Sequence, residues 1–299
     1  MAQGGDGRPA PAMTMQPDAH RAAQLRARWA AQLRPQWAAQ WRAPTQGRGQ
    51  ARWQARLQYV PPLLTLAAMI ATPLCRPTGR ARRHLATVVV TSLAATTAGC
   101  AARRWTLRQV IETVLAVGTG AAAAEWIGST TGFPFGRYRY TGALQPTVGP
   151  VPLLVPAAWF AMAVPARETA HAALGTASTP ARRLGLGAVA LTAWDLFLDP
   201  QMVGEGYWQW RRPGRYRGIP LSNYLGWLLV SAAVMGCLER LLPPDSDADG
   251  SLVGEYTAIG VLETVGFARY FADPLVAVVG GSAMVPLSIV ALVNRRKRR

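Results

Sequence analysis

LRQVIETVLAVGTGAAAAEWIG, residues 107–128, is a predominantly apolar stretch that is long enough to cross a lipid bilayer as an α-helix. A spanning helix needs about 20 such residues, because each residue adds about 1.5 Å and the hydrocarbon core is about 30 Å thick. Comparable stretches recur along the chain, at about 59–75, 85–102, 150–174, 183–203, 220–243, 254–271 and 274–294. We therefore predict an all-α fold in the cell membrane: a polytopic membrane helix bundle of seven or eight transmembrane helices over residues 58–295.

The composition and the distribution of charge agree with a membrane protein. Half of the residues are hydrophobic and only 16% are charged, yet the net charge is +17. The basic residues lie in the N-terminal segment, in short connections between apolar stretches and in the tail RRKRR, a pattern typical of charges that flank membrane helices. No basic groove or nucleic-acid-binding motif accompanies them, so we expect the lipid bilayer, and no nucleic acid, as a partner.

Residues 1–57 have a different composition from the rest of the chain. They are basic, rich in Arg and Trp, and of low complexity, with WAAQ occurring at both Trp29 and Trp37. They lack the apolar core of a cleavable signal peptide. We predict an N-terminal extension that is either disordered or lies on the membrane surface.

Two aspartates lie one helical turn apart near the end of an apolar stretch, in TAWDLFLDPQMV. Asp195 and Asp199 therefore share a helix face. A carboxyl inside a membrane costs roughly 2.5–3.5 kcal/mol and usually marks a functional interior, although acids at the membrane edge also serve only as caps. Glu125 closes the third stretch, which runs in the same direction as the fifth. We expect the three acids to converge at one membrane face, where Asn223 begins the sixth stretch.

The two connections at that face are dense in aromatic and arginine residues. An interfacial aromatic belt with ordinary flanking arginines is the alternative to a site. The tetrapeptide GRYR occurs in both connections, at residues 136–139 and 214–217, which indicates either a duplication or chance recurrence. Glu255 and Glu263 in the seventh stretch are weaker candidates, and pairing of Glu263 with Arg269 or with an arginine elsewhere is the alternative to a role in a site.

Five motifs occur in a fixed order: EWIGSTTGFPFGRYRYT, VPLLVPAAWF, TAWDLFLDPQMV, GYWQW and GIPLSNYLGW. As a set, over about residues 125–230, they resemble the carotenoid biosynthesis membrane proteins that include carotenoid 1′,2′-hydratases and bisanhydrobacterioruberin hydratases. The resemblance implies a multipass hydro-lyase that adds water to the terminal C1′=C2′ double bond of an acyclic carotenoid, without a cofactor. It implies an acyclic carotenoid as substrate and other enzymes of the carotenoid pathway as partners.

Hydration of a trisubstituted alkene needs a neutral acid, a group that orients and deprotonates water, and aromatic faces beside the cation. We predict Asp195 or Asp199 as the acid, with the other aspartate or Glu125 orienting water. Arginines would fix the carboxylates that stay ionised. The predicted substrate-binding residues are Trp194, Phe197, Tyr207, Trp208, Trp210, Arg137, Tyr138, Arg215, Tyr216 and Asn223; the first five are candidates for stabilising the cation.

Two other classes of function are compatible with these residues. The DLFLD segment resembles half of the paired motifs with which membrane prenyltransferases hold magnesium and a diphosphate, although a second such motif is missing. A proton-coupled transporter or a lipid-binding protein would use the same acids without chemistry. We predict no metal site, because the histidines and cysteines are scattered: His20, His84, His171, Cys75, Cys100 and Cys237.

Overall fold

The computed structural model describes residues 56–245 and 247–298. The predicted N-terminal extension therefore lies outside the described residues, apart from its last two. Eight α-helices fill most of the described part: α1 (Val60–Ala71), α2 (Arg80–Ala102), α3 (Leu107–Thr131), α4 (Leu154–Leu174), α5 (Pro180–Gly204), α6 (Leu221–Leu241), α7 (Gly250–Arg269) and α8 (Pro274–Lys297). The predicted predominantly helical fold is confirmed for these residues.

Local sequence signals fix where several of these helices begin and end. Thr106 caps α3 by accepting from the backbone N–H of Gln109, and the Gln109 side chain accepts from Thr106 in return. Asp249 caps α7 by accepting from two backbone N–H groups of its first turn. Helix α3 ends at Thr131 and is followed by Gly132, whose φ of 88° suits a residue without a Cβ atom.

Helix α4 is the centre of the bundle. It packs against α2, α3, α5, α6, α7 and α8, and its residues are buried from Ala158 to Ala172. This burial includes Arg167 and Glu168, which form an ion pair with N···O at 2.6 Å. A helix surrounded by other helices does not need an apolar surface towards lipid, which explains how α4 carries charged residues in its middle.

Within the described residues, four helices are long and apolar enough to span a membrane: Arg80–Ala102, Leu107–Thr131, Leu221–Leu241 and Pro274–Lys297. The apolar segment Val60–Leu74 is shorter than a spanning helix. The chain is thus a membrane protein with several spans by helix length and composition. The total of seven or eight spans stays a prediction. Helices α4, α5 and α7 contain buried charged residues, which make them less apolar than the four helices named above.

Two short antiparallel strand pairs, which the all-α prediction did not include, lie in the connections. Strand β1 (Tyr138–Tyr140) pairs with β4 (Trp208–Trp210), and β2 (Thr147–Val148) pairs with β3 (Val151–Pro152). The β1–β4 ribbon joins the connection after α3 to the connection after α5, so both helices end at the same end of the bundle. The two GRYR copies differ in structure. The last two residues of the first copy lie in β1, whereas the second copy, residues 214–217, lies outside the four strands.

Other contacts bring α1 and α7 to the same end. The Arg82 side chain at the start of α2 donates to the carbonyl of Cys75, just after α1, at 3.0 Å. It also lies over the Phe271 ring just after α7, at 5.5 Å from the centroid, and forms an ion pair with Glu205 at the end of α5. The ends of α1, α3, α5 and α7 therefore surround one region.

Candidate active site

A cavity of about 410 Å³ lies at this end of the bundle. Helices α1, α2, α3, α4, α5, α6 and α7 and the β1–β4 ribbon all contribute to its lining. The volume falls within the range of about 300–1,000 Å³ that is usual for small-molecule sites. Most of the lining is apolar, and Glu125, Asp199, Glu205 and Glu263 are its acidic members.

Glu125 is held by three hydrogen-bond donors. Its carboxyl accepts from the Tyr138 hydroxyl, from the Tyr140 hydroxyl at 2.7 Å and from Trp159 Nε1 at 3.2 Å. Burial raises the pKa of Tyr138 and of Tyr140, and the adjacent Glu125 carboxylate raises both further, so the two phenols stay protonated and act as donors. The three donors hold the Glu125 carboxyl in a fixed orientation and offset part of the cost of burying its charge.

Asp195 and Asp199 form a buried pair that shares one amide. Asn223 Nδ2, from the first turn of α6, donates to Asp195 Oδ2 at 2.9 Å and also to Asp199 Oδ2. Trp208 Nε1, in β4, donates to Asp199 Oδ1 at 3.1 Å. Asp195 Oδ1 is buried and has no hydrogen-bond partner among the described residues. Two carboxyls this close favour sharing a proton over ionising together.

Three tryptophans form an aromatic wall beside these acids. Trp159 of α4 stacks on Trp227 of α6, with ring centroids 4.1 Å apart and planes 10° apart. Trp194 of α5 meets Trp227 edge to face, at 6.2 Å between centroids. All three line the cavity. Their π-faces supply the electron-rich surface that a cation prefers.

The cavity also has a polar rim, formed at the helix ends. Arg82 and Glu205 are both buried and form an ion pair there. The Thr78 backbone N–H donates to Glu205 Oε2 at 2.8 Å, which ties the connection before α2 to the end of α5. Burial, followed by the Glu205 charge, raises the pKa of Tyr207 to about 12, so this phenol is a donor at neutral pH.

The structure brings most of the predicted site residues together. Of the three predicted catalytic acids, Glu125 and Asp199 line the cavity, whereas Asp195 lies outside the lining and accepts from the same Asn223 amide as Asp199. Among the predicted substrate-binding residues, six line the cavity: Tyr138, Trp194, Tyr207, Trp208, Trp210 and Asn223.

The other four predicted binding residues lie outside the cavity lining. Phe197 is fully buried between α5, α7 and α8, with its ring 5.8 Å from that of Phe267. Tyr216 donates to the carbonyl of Leu196 at 2.9 Å. Arg137 and Arg215 are exposed. Side chains that pack in the core or face outwards have no direct path to a ligand in this cavity.

Sequence reasoning did not assign several residues that shape the site. Trp159 and Tyr140 contact Glu125, and Trp227 stacks against Trp159. Arginines were expected to hold the catalytic carboxylates, but the hydrogen bonds given to Glu125, Asp195 and Asp199 come from Tyr, Trp and Asn. Within the described residues no group of three His, Cys, Asp or Glu side chains is placed to hold a metal ion.

Comparison with known proteins is consistent with the sequence motifs. Residues 79–291 match the protein family described as carotenoid biosynthesis protein. The chain is also similar to the bisanhydrobacterioruberin hydratase of Haloarcula japonica, with 38% identity over 114 residues. That alignment covers 37% of this chain and 38% of the relative, so it spans well under half of either protein. No solved structure matches the chain.

Proposed function

The chain belongs to the carotenoid biosynthesis protein family, and from this premise we propose that it is a carotenoid hydratase of the cell membrane. The proposed reaction adds water to the terminal C1′=C2′ double bond of an acyclic carotenoid end and gives a tertiary alcohol. The observation that carries the proposal is a buried aspartate pair beside an aromatic cavity, with Asp199 in the cavity lining. The bilayer and other enzymes of the carotenoid pathway are the proposed partners.

The chemistry of hydration fits the arrangement of these side chains. Asp199 transfers a proton to C2′, the π electrons form the new C–H bond, and a tertiary cation develops at C1′. The tryptophan wall and the hydrogen-bonded Glu125 carboxylate stabilise that cation. Water then forms a bond to C1′ and releases a proton. The apolar lining limits the amount of water that reaches the cation early.

The size and lining of the cavity favour one end of a long apolar substrate. A cavity of about 410 Å³ is too small to enclose a whole acyclic carotenoid. Only an end group therefore fits beside the acids, while the polyene continues outside. The lining from α1 and α2 is largely aliphatic, with Met69, Ile70, Val89, Val90 and Leu93. We propose that the polyene lies along this side, where it gains apolar contacts.

The prenyltransferase alternative has weaker support. A magnesium–diphosphate site needs two aspartates with free oxygens that face the substrate. Here Asp195 does not line the cavity, and Asn223 and Trp208 already donate to the pair. A transporter remains the other class that uses buried acids, and product analysis separates it from an enzyme.

The first prediction tests the reaction class. Expression in a lycopene-producing host is expected to give pigments that gain the mass of one water for each modified end, as measured by mass spectrometry. The Asp199→Asn variant in the same host serves as the control. Pigments with unchanged mass, from a host in which the protein is inserted and lycopene accumulates, would contradict the proposal.

The second prediction concerns the source of the new oxygen. Washed membranes that are treated with a chelator and given no nucleotide are expected to hydrate added substrate, because protonation and water capture are redox-neutral. The hydroxyl oxygen should come from isotopically labelled water. Label that arrives from dioxygen instead identifies a hydroxylase and overturns the mechanism.

A further inference from the structure

Glu263 is a cavity acid for which the mechanism above has no role. It lies on α7 and lines the same cavity as Glu125 and Asp199. Each of these acids lies five or six positions before the last residue of its helix. Glu263 lies six positions before Arg269 in α7, and Glu125 lies six before Thr131 in α3. Asp199 lies five before Gly204 in α5. At about 1.5 Å per residue, all three acids lie roughly 8–9 Å inside the bundle from the same end.

Glu263 differs from the other two acids in its hydrogen bonding. Glu125 accepts from three side chains, and Asp199 accepts from two. No described residue donates a hydrogen bond to Glu263 or forms an ion pair with it, so the proposed pairing with Arg269 is absent from the described part. Glu263 is thus a half-buried residue of the cavity lining whose carboxyl has no partner in the described part.

An unpartnered carboxyl in an apolar wall is unfavourable for folding. The neighbouring α7 residues in the lining are Ile259, Leu262, Val265 and Gly266, and none of them has a polar side chain that could offset the lost hydration. Glu255, two turns earlier on the same helix, accepts from the Thr97 hydroxyl at 2.9 Å. A polar ligand in the cavity supplies the missing partner for Glu263, and water is the polar reactant of the proposed reaction.

We propose that Glu263 is the general base that orients the attacking water and removes its proton. This inference rests on the proposed hydratase function. Proton transfer from Asp199 forms the C2′–H bond and leaves the cation at C1′. The water oxygen then donates its electron pair to C1′, the C–O bond forms, and one water proton passes to a Glu263 oxygen. That proton returns to the aspartate pair before the next turnover, so no proton is gained or lost overall.

Glu125 is less suited to this role because of its existing contacts. Tyr138, Tyr140 and Trp159 already donate to its two oxygens, so neither oxygen is free to orient a water and take its proton. Asp199 is the proton donor, so a base on another helix lets the two proton transfers use different groups.

The test compares Glu263→Gln with wild-type protein in D₂O. Gln keeps the shape of the side chain but does not accept a proton. We expect hydration to fall roughly 10²–10⁴-fold, the usual contribution of a general base. Protonation by Asp199 should continue, and the uncaptured cation should lose a proton and return to an alkene. Recovered, unhydrated carotenoid should therefore gain deuterium, which mass spectrometry detects.

A matched control comes from the same helix. Glu255 is buried but lies outside the cavity lining, and its Gln variant still accepts from Thr97. Glu255→Gln is expected to hydrate at the wild-type rate. If Glu263→Gln does not accumulate in membranes, Glu263→Ala with added formate replaces it, and we expect formate to restore hydration.

The outcomes separate this inference from the proposed function. Lost hydration with continued deuterium uptake, or rescue by formate, supports Glu263 as the base. Wild-type hydration by Glu263→Gln overturns it. Loss of both hydration and deuterium uptake also overturns it, because Glu263 then acts at or before protonation. A wild-type protein that hydrates no carotenoid refutes the hydratase proposal itself.

Discussion

Replacement of Asp199 by Asn is expected to lower the rate of carotenoid hydration by roughly 10²–10⁴-fold, the usual contribution of a general acid, while carotenoid stays bound. An alkene is a very weak base, so the donor must be a neutral acid that reaches C2′ directly. Asp199 is the member of the aspartate pair in the cavity lining, and it shares the Asn223 amide with Asp195. Asn has nearly the shape of Asp but is not a useful acid.

Variants of the other two acids provide the comparison. Asp195→Asn is expected to cost less activity than Asp199→Asn, because Asp195 lies outside the cavity lining. Glu125→Gln removes a charge that stabilises the cation, so hydration and deuterium uptake should both fall. Rates are measured per inserted protein in membranes. If both aspartate variants hydrate at near wild-type rates, the pair is structural and another cavity acid is the donor.

The helical part of the fold could be predicted well from the sequence. The apolar stretch 107–128 corresponds to Leu107–Thr131, and the stretch 220–243 corresponds to Leu221–Leu241. Hydrophobic length is a local property, which is why it identifies helices without knowledge of their neighbours. The number of spans is harder to predict. Helix α4 can contain charged residues because six other helices bury it, and this burial depends on long-range contacts that the local sequence does not show.

The site was predictable where it depends on helix direction. Glu125 and Asp199 lie near the ends of two helices that run the same way, and both line one cavity. The β1–β4 ribbon was not predictable, since strands of three residues show no clear alternation and pair across about 70 positions of sequence. The Trp159–Trp227 stack and the core position of Phe197 likewise depend on which helix faces meet.

A second large effect is expected far from the aspartates, at the charged centre of the bundle. Arg167 is fully buried and donates to Glu168 Oε1 at 2.6 Å, to Glu239 Oε1 at 3.0 Å and to the Leu242 carbonyl at 2.8 Å. Arg183 also pairs with Glu239. This network joins α4, α5 and α6. It also reaches the start of α7, because the backbone N–H of Asp249, the N-cap of α7, donates to Glu168 Oε2 at 2.7 Å.

Arg167→Met is expected to lower the free energy of unfolding by about 3–5 kcal/mol, because it leaves Glu168 buried without its cation. Adding Glu168→Gln should recover part of the loss, since Gln still accepts from Asp249 and carries no charge. Arg108→Met is the control: its pair with Glu112 is on the surface, with the Arg108 side chain 86% exposed, and no measurable change is expected.

Denaturant titration in detergent micelles measures the stability of all three variants. Equal stability of Arg167→Met and wild-type protein would show that the network does not hold the bundle together, and a double variant less stable than Arg167→Met would show that the cost is not an uncompensated charge.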